Sequence, residues 1–272
     1  MIKKKNKLLL ILFISISLTA FESCNENNNQ RNPDDNNKKD TVKSESNSMI
    51  YRTENIPDFS VYEDIKDRKK AFFSYLKPFV EQENKKVLYE RNYILSKYQK
   101  VNSNDSLNDK EKSRLLGIAL KYRVKSKLKF DEDFFRQLIL KVDEIPVELA
   151  LLQAANESAW GTSYFAKTGN NLFGQWCFTK GCGIVPRKRN EGATHEVAKF
   201  ETVGESVATY IRNLNSHPAY KPLRTARYVA RQQKRRPSGH ELAIGLQKYS
   251  AKGMEYVEII RVMIKKNKEY LF

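Results

Sequence analysis

The chain has 272 residues, of which 40% are hydrophobic and 30% charged, and a formal net charge of +17. That length exceeds one average domain without requiring two. The charge favours anionic polymers or membrane surfaces, but no base-reading motif accompanies it, so no nucleic-acid partner is expected and the basic Arg231 to Arg236 stretch reads as a solvated face, matched to an acidic wall matrix or membrane.

The first 24 residues read as a secretory signal. Lys3, Lys4, Lys5 and Lys7 form a basic start, and Leu8 to Leu18 an apolar stretch too short to span a bilayer as a mature helix. With four lysines and one glutamate removed in this segment, the remainder keeps a charge of +14. Cys24 ends it, ahead of Asn25-Glu26-Asn27-Asn28-Asn29. That order resembles a bacterial lipoprotein signal, in which the cysteine is lipidated. Phe21-Glu22-Ser23 departs from the usual small-residue box, so simple cleavage and an uncleaved anchor stay open. Lipid on Cys24 would hold the chain on a membrane without spanning it. The expected location is the cell envelope, anchored and facing the periplasm, or else the secreted fraction.

Residues 25–57 are poor in apolar side chains and rich in Asn, Asp, Lys and Ser, so they are expected to form a disordered tether. From Asp58 the aromatic and aliphatic content rises and a single core becomes feasible over 58–272. N-terminal helices are expected over 58–130 and the core over 131–272. Asp58 to Val101 carries one long helical pattern that Pro78 should kink or divide. Asn102 to Ser106 breaks it. Helices are then predicted over Asp109–Val124 and from a capping Asp131 to Val142.

The next helix carries the most informative feature. After Pro146, suited to a first helical turn, the run Leu149-Ala150-Leu151-Leu152-Gln153-Ala154-Ala155-Asn156-Glu157 is too apolar to show a polar face and should be buried. It delivers Glu157 to the rim of the core, just before Ser158-Ala159-Trp160-Gly161. Desolvation there disfavours the charged carboxylate, a condition suited to a general acid near neutral pH. An ordinary solvated helix-end carboxylate is the plainer alternative. Trp160 is expected in the core behind Glu157. Tyr164, Asn171, Phe173 and Trp176 follow within twenty residues, in stretches that include Gly169 and Gly174. Aromatic faces and amides of this kind line sugar sites.

Residues 170–201 change character. Glycines and Pro186 punctuate short runs, and Asn190-Glu191-Gly192 lies between Ile184–Arg189 and His195–Phe200, a β-hairpin signal. Cys177 and Cys182 flank a four-residue loop and form a disulfide candidate in an oxidising compartment. With only His195, His217 and His240 as further soft ligands, no metal is expected. Helices resume over Val203–Ser216, Ser238–Tyr249 and Gly253–Tyr270. The fold class is therefore mainly α, a helical domain with one small β-hairpin lobe.

Gln153-Ala154-Ala155-Asn156-Glu157-Ser158-Ala159-Trp160-Gly161, Asn170-Asn171-Leu172-Phe173-Gly174, Tyr210 to Asn215 and Pro218-Ala219-Tyr220 together resemble the bacterial glucosaminidase domain, glycoside hydrolase family 73. Trp176 to Gly183 and Phe72 to Pro78 look most like its Bax-type branch. The resemblance covers about residues 65–272 and implies a lysozyme-like α+β fold with the hairpin beside an active-site cleft. It implies endo-β-N-acetylglucosaminidase activity on peptidoglycan strands, with Glu157 as general acid. Related enzymes place a second acidic residue on the hairpin, where Glu191 at the tip is favoured, ahead of Glu196. Tyr249 resembles the family's substrate-positioning tyrosine, and a buried tyrosine satisfied by backbone is the even alternative. Asn171, Phe173 and Trp176 are candidates for the groove wall. No cofactor is implied, and a monomer is expected. A lytic transglycosylase, a non-catalytic wall-binding module and a glycoprotein-directed endoglucosaminidase are the competing functions.

Overall fold

The computed structural model describes residues 56–271 apart from 126–128, 187–188 and 190–191. The expected signal segment, Cys24, nearly all of the expected tether and Glu191 lie outside the described residues. Among the described residues no helix is long and apolar enough to cross a membrane.

A single helix, α1, runs over Ile65–Asn102. Asp64 caps its start by accepting from the backbone N–H groups of Lys66 and Asp67. Pro78 lies inside α1 and does not divide it. Its ring leaves one carbonyl of the preceding turn without a helical partner, and Pro78 and Ser74 both face solvent, where water can take that role. The opposite face buries Phe72, Phe73, Leu76, Val80, Val87 and Ile94. Helix α2 (Asp109–Lys121) begins with a reciprocal capping box between Asn108 and Glu111. Helix α3 (Glu132–Lys141) is capped by Asp131, as its sequence predicts.

Helix α4 (Val147–Ser158) is the apolar helix, and Leu149 to Ala155 are buried without interruption. It packs against α1 and against α9 (Met254–Lys266). A short α5 (Tyr164–Gly169) follows, capped by Ser163. The β region is a three-stranded antiparallel sheet in which β3 (Glu196–Ala198) lies between β1 (Trp176–Cys177) and β2 (Gly183–Ile184). The expected hairpin is thus present as the β2–β3 pair, with Ile184 opposite Val197. Strand β1 was not anticipated, since two residues are too few to show a period. A side chain at Gly183 would collide with the Val197 backbone, so glycine is required there.

Helix α6 spans Val203–Ser216 as expected. Two further helices depart from the prediction. Residues Lys221–Gln232 form α7, a strongly amphipathic helix not read from the sequence. The stretch expected as one helix over 238–249 is α8 (Gly239–Leu242) followed by a 3-10 turn over Ala243–Leu246. A side chain at Gly245 would collide with the Leu223 backbone, so glycine lets this turn pack closely on α7. A final α10 covers Lys268–Leu271. The mainly α fold with a small sheet is lysozyme-like, as expected.

A buried ionic cluster joins α1, α7 and the segment between α3 and α4. Arg227, only 1% exposed, donates to the carbonyls of Leu140, Lys141, Asp143 and Glu144 and to the Asn215 side chain. It thereby satisfies the exposed carbonyls at the end of α3 with a cation, which also suits the helix dipole. Asp143 receives Arg231 through both carboxylate oxygens. Arg236 bonds Glu144 and Arg235 pairs with Glu241. Arg231, Arg235 and Arg236 thus have carboxylate partners, while residues 232–236 stay exposed, in keeping with a solvated face.

Candidate active site

Helix α4 ends abruptly, and three successive residues then take positive φ: Ala159 at 50°, Trp160 at 59° and Gly161 at 79°. For Ala159 and Trp160 this left-handed backbone costs on the order of 1–2 kcal/mol each. Packing holds it in place. The Trp160 ring meets Phe72 and Phe73 edge-on at 5.8 and 5.4 Å and packs half-buried against the core. The Ser158 hydroxyl donates to the Ala154 carbonyl and accepts from the Gly161 N–H, tying the turn to the helix. A side chain on Gly161 would stand 2.6 Å from the Phe59 ring.

This turn fixes Glu157, which is half-buried. Its Oε1 accepts from the Tyr256 hydroxyl at 2.7 Å and from Asn156 Nδ2 at 3.1 Å. A chain of bonds continues inward: Gln153 Nε2 donates to the Tyr256 oxygen at 3.0 Å, and the Tyr210 hydroxyl donates to Gln153 Oε1 at 2.7 Å. Gln153 is fully buried, so its two bonds satisfy groups that would otherwise be costly to leave unpaired. The second carboxylate oxygen faces Gly174, where an added Cβ would lie 3.3 Å from Oε2. Gly174 has φ +61°, so glycine there supplies both the backbone conformation and the space.

The tyrosines gather around this carboxylate. Tyr249 stacks on Tyr256 with centroids 5.6 Å apart, and Tyr220 lies 6.0 Å from Tyr249. Burial, reinforced by the nearby Glu157 charge, pushes the Tyr220 phenol up to about 12. The same causes raise Tyr256, Tyr249 and Tyr210 well above the ordinary tyrosine value. All four remain protonated hydrogen-bond donors at neutral pH.

The other predicted residues divide. Tyr249 lies beside Tyr256, and its hydroxyl donates to the Phe173 carbonyl at 2.8 Å, the backbone-satisfied arrangement that the sequence left as the even alternative, with its lone pairs still able to accept. Phe173 is fully buried and stacks on Tyr210 at 4.0 Å, so it is a core residue and not a groove wall. Asn171 is 2% exposed: its Nδ2 donates to the carbonyls of Gln175 and Ala198, and its Oδ1 accepts from the Gln175 N–H. It shapes the loop that carries Gly174 and does not face the groove. Tyr164 points to solvent on α5.

Trp176 is 57% exposed and stacks flat on His195 at 4.2 Å. It borders a cleft of about 470 Å³ whose lining includes Gln175, Phe178, Arg212, His217 and Tyr220. Glu157 does not line this cleft; Tyr220 does, and its ring lies 6.0 Å from that of Tyr249 in the tyrosine cluster.

Glu196, the second choice for a base, is buried on β3 and accepts from the backbone N–H groups of Gly181 and Gly183 at 2.9 and 2.8 Å. Those bonds hold its carboxyl below the usual range. They clamp the loop closed by the Cys177–Cys182 disulfide, whose Cα atoms are 6.2 Å apart. Cys177, Cys182 and Glu196 cluster closely, but disulfide sulfurs are poor metal ligands and the carboxylate is already committed.

Sequence reading missed Tyr256 altogether. It sits seven residues after Tyr249, in the first turn of α9. The apolar stripe of that helix contains it, and nothing local distinguishes a stripe tyrosine from one that holds an acid.

The profile of the glucosaminidase family, described as mannosyl-glycoprotein endo-β-N-acetylglucosaminidase, matches residues 134–269. Protein bax of Escherichia coli (strain K12) is 33% identical over 221 residues, which cover 81% of this chain and 77% of that protein. No solved structure gives a significant match. The α4 motif and the tyrosine cluster lie inside the matched span, and this chain belongs to the bacterial glucosaminidase family, glycoside hydrolase family 73, in its Bax-type branch.

Proposed function

We propose that the chain is a peptidoglycan hydrolase, an endo-β-N-acetylglucosaminidase in which Glu157 protonates the glycosidic oxygen as an oxocarbenium-like centre develops on the sugar. The observation that carries this reading is the half-buried Glu157 carboxylate, held by Tyr256 on one oxygen and approached on the other only by the side-chain-free Gly174. An unpartnered surface glutamate would need neither the strained turn nor the buried amide behind Tyr256. Tyr249, beside the acid, is suited to accept an N–H from a substrate acetamido group. Zymography on purified peptidoglycan tests the proposal: wild type clears, and Glu157→Gln does not. No clearing by either protein favours the wall-binding module. Release of glycans from a mannosylated protein would instead mark the activity that the family description names.

The commitment of Glu196 to the Gly181 and Gly183 amides favours a second reading, in which one acid works without a protein base. The substrate's N-acetyl group would then assist, or the chain would act as a lytic transglycosylase. Mass analysis separates the outcomes. Reducing N-acetylglucosamine ends mark hydrolysis, and 1,6-anhydromuramic ends mark transglycosylation. Loss of hydrolysis in Glu191→Gln with unchanged folding assigns Glu191 as the base.

The working location proposed is the cell envelope, with Cys24 lipidated and residues 25–57 as tether. Labelled palmitate incorporated into wild type and not into Cys24→Ala supports it, and equal labelling of both overturns it.

A further inference from the structure

The cleft bordered by Trp176 and Tyr220 is cationic. Lys121 at the end of α2, Arg123 two residues on, and Arg212 on α6 all line it, and no carboxylate does among the described residues. Lys121 is partly neutralised by Glu90, 2.8 Å away. Arg123 and Arg212 are exposed and meet no carboxylate among the described residues, and Arg212 makes only a long 3.4 Å bond to Thr209 there. A cleft built for neutral sugar alone gains nothing from uncompensated guanidinium groups, whose mutual repulsion disfavours the fold.

We propose that this cleft is a subsite for the carboxylates that a peptidoglycan strand carries on its muramoyl residues, with Arg123 and Arg212 as the recognition groups. It rests on the hydrolase reading of Glu157 above and adds to it a preference for anionic wall glycan over neutral N-acetylglucosamine polymers. Guanidinium is suited to the task, because its planar fork meets a carboxylate with two parallel bonds and stays charged at any relevant pH. The imidazole of His217 is held towards its neutral form by burial and by the charges of Arg123 and Arg224, so the positive charge in the cleft belongs to the arginines. Trp176 and the exposed Phe178 add apolar plates for sugar or peptide along the same cleft, on the loop that the disulfide and Glu196 hold. Lys121 and Arg123 lie outside the span matched by the family profile, whereas Arg212 lies inside it. The anionic preference is thus partly supplied by the helices N-terminal to the glucosaminidase region.

The test is a cycle of protein charge against substrate charge. Wild type and the double variant Arg123→Gln/Arg212→Gln are cosedimented with purified sacculi, and with sacculi whose carboxyl groups have been converted to neutral amides. For wild type, apparent Kd should rise about ten-fold on amidation, the sum expected for two partly exposed charge pairs. The double variant should bind native sacculi about ten-fold more weakly than wild type, and amidation should not weaken it further. Both side chains are exposed, and an unchanged thermal midpoint verifies the fold. Equal responses of the two proteins to amidation overturn the proposal. Hydrolysing the stem peptides from the strands frees lactyl carboxylates that are amide-bonded in peptide-bearing strands: a wild-type advantage over the double variant on the stripped strands shows that the cleft takes the lactyl group, and an advantage confined to peptide-bearing strands assigns the peptide carboxylates. Because cosedimentation needs no turnover, the predicted pattern without any cleavage overturns the hydrolase reading and leaves the subsite standing.

Discussion

The Tyr256 hydroxyl donates to Glu157 Oε1 at 2.7 Å while its own oxygen accepts from Gln153 Nε2 at 3.0 Å, so one phenol both orients the acid and completes a buried amide. Tyr256→Phe removes both bonds and leaves the ring. The expected result is a loss in kcat of about ten- to a hundred-fold with little change in KM, as for a misplaced catalytic group. The orphaned Gln153 donor should also cost about 1–3 kcal/mol of stability. Initial rates and denaturant unfolding measure the two effects separately.

Gly174 predicts a steric counterpart. Gly174→Ala places a methyl 3.3 Å from Glu157 Oε2 on a backbone at φ +61°. Gly181 has φ +83° with nothing within 4 Å of an added Cβ, so Gly181→Ala imposes comparable backbone strain without the crowding. Each should lose about 1–2 kcal/mol of stability, and only Gly174→Ala should lose activity as well. Equal activity in the two variants would remove Gly174 from the site.

Glu196 is predicted to matter for the loop and not for the chemical step. Glu196→Gln weakens its bonds to the Gly181 and Gly183 amides, and stability should fall by about 1–3 kcal/mol. Turnover should stay at the wild-type level. A large loss of kcat in a fully folded variant would make Glu196 the second carboxylate after all.

Asp143 sets an acid limit on stability. Burial works against its ionised form, but the Arg231 bonds and the charges of Arg227 and Arg91 prevail, and its carboxyl titrates below the usual range. Between the folded and unfolded values the unfolded chain binds more protons, so stability rises with pH there. The contribution is complete above an unfolded value of about 3.9 and fades as pH falls through the folded one. Denaturant unfolding from pH 2 to 7 should show this slope. Asp143→Asn should flatten it and cost about 3–5 kcal/mol at neutral pH, because Arg227 is left buried without its counter-charge.

Much of the fold could be read locally. The Asp131 cap, the Val203–Ser216 helix and the apolar α4 ending in Glu157 each rest on a signal contained within one segment. What failed depended on contacts between segments. Phe173 and Asn171 occupy a glycine-rich loop that looks like a surface, yet Tyr210, Ala198 and Gln175 draw both inward. Pro78 does not divide α1, because packing along the buried face outweighs one missing helical bond. Tyr256 was hidden for the same reason: its role depends on Glu157 and Gln153, which lie 99 and 103 residues away in sequence.

The most direct measurement is peptidoglycan clearing and fragment release by wild type and by Glu157→Gln, compared at equal thermal stability. A positioned proton donor predicts a loss of about a hundred- to ten-thousand-fold for the variant. A Glu157→Gln protein that cleaves the glycan at the wild-type rate would contradict the assignment.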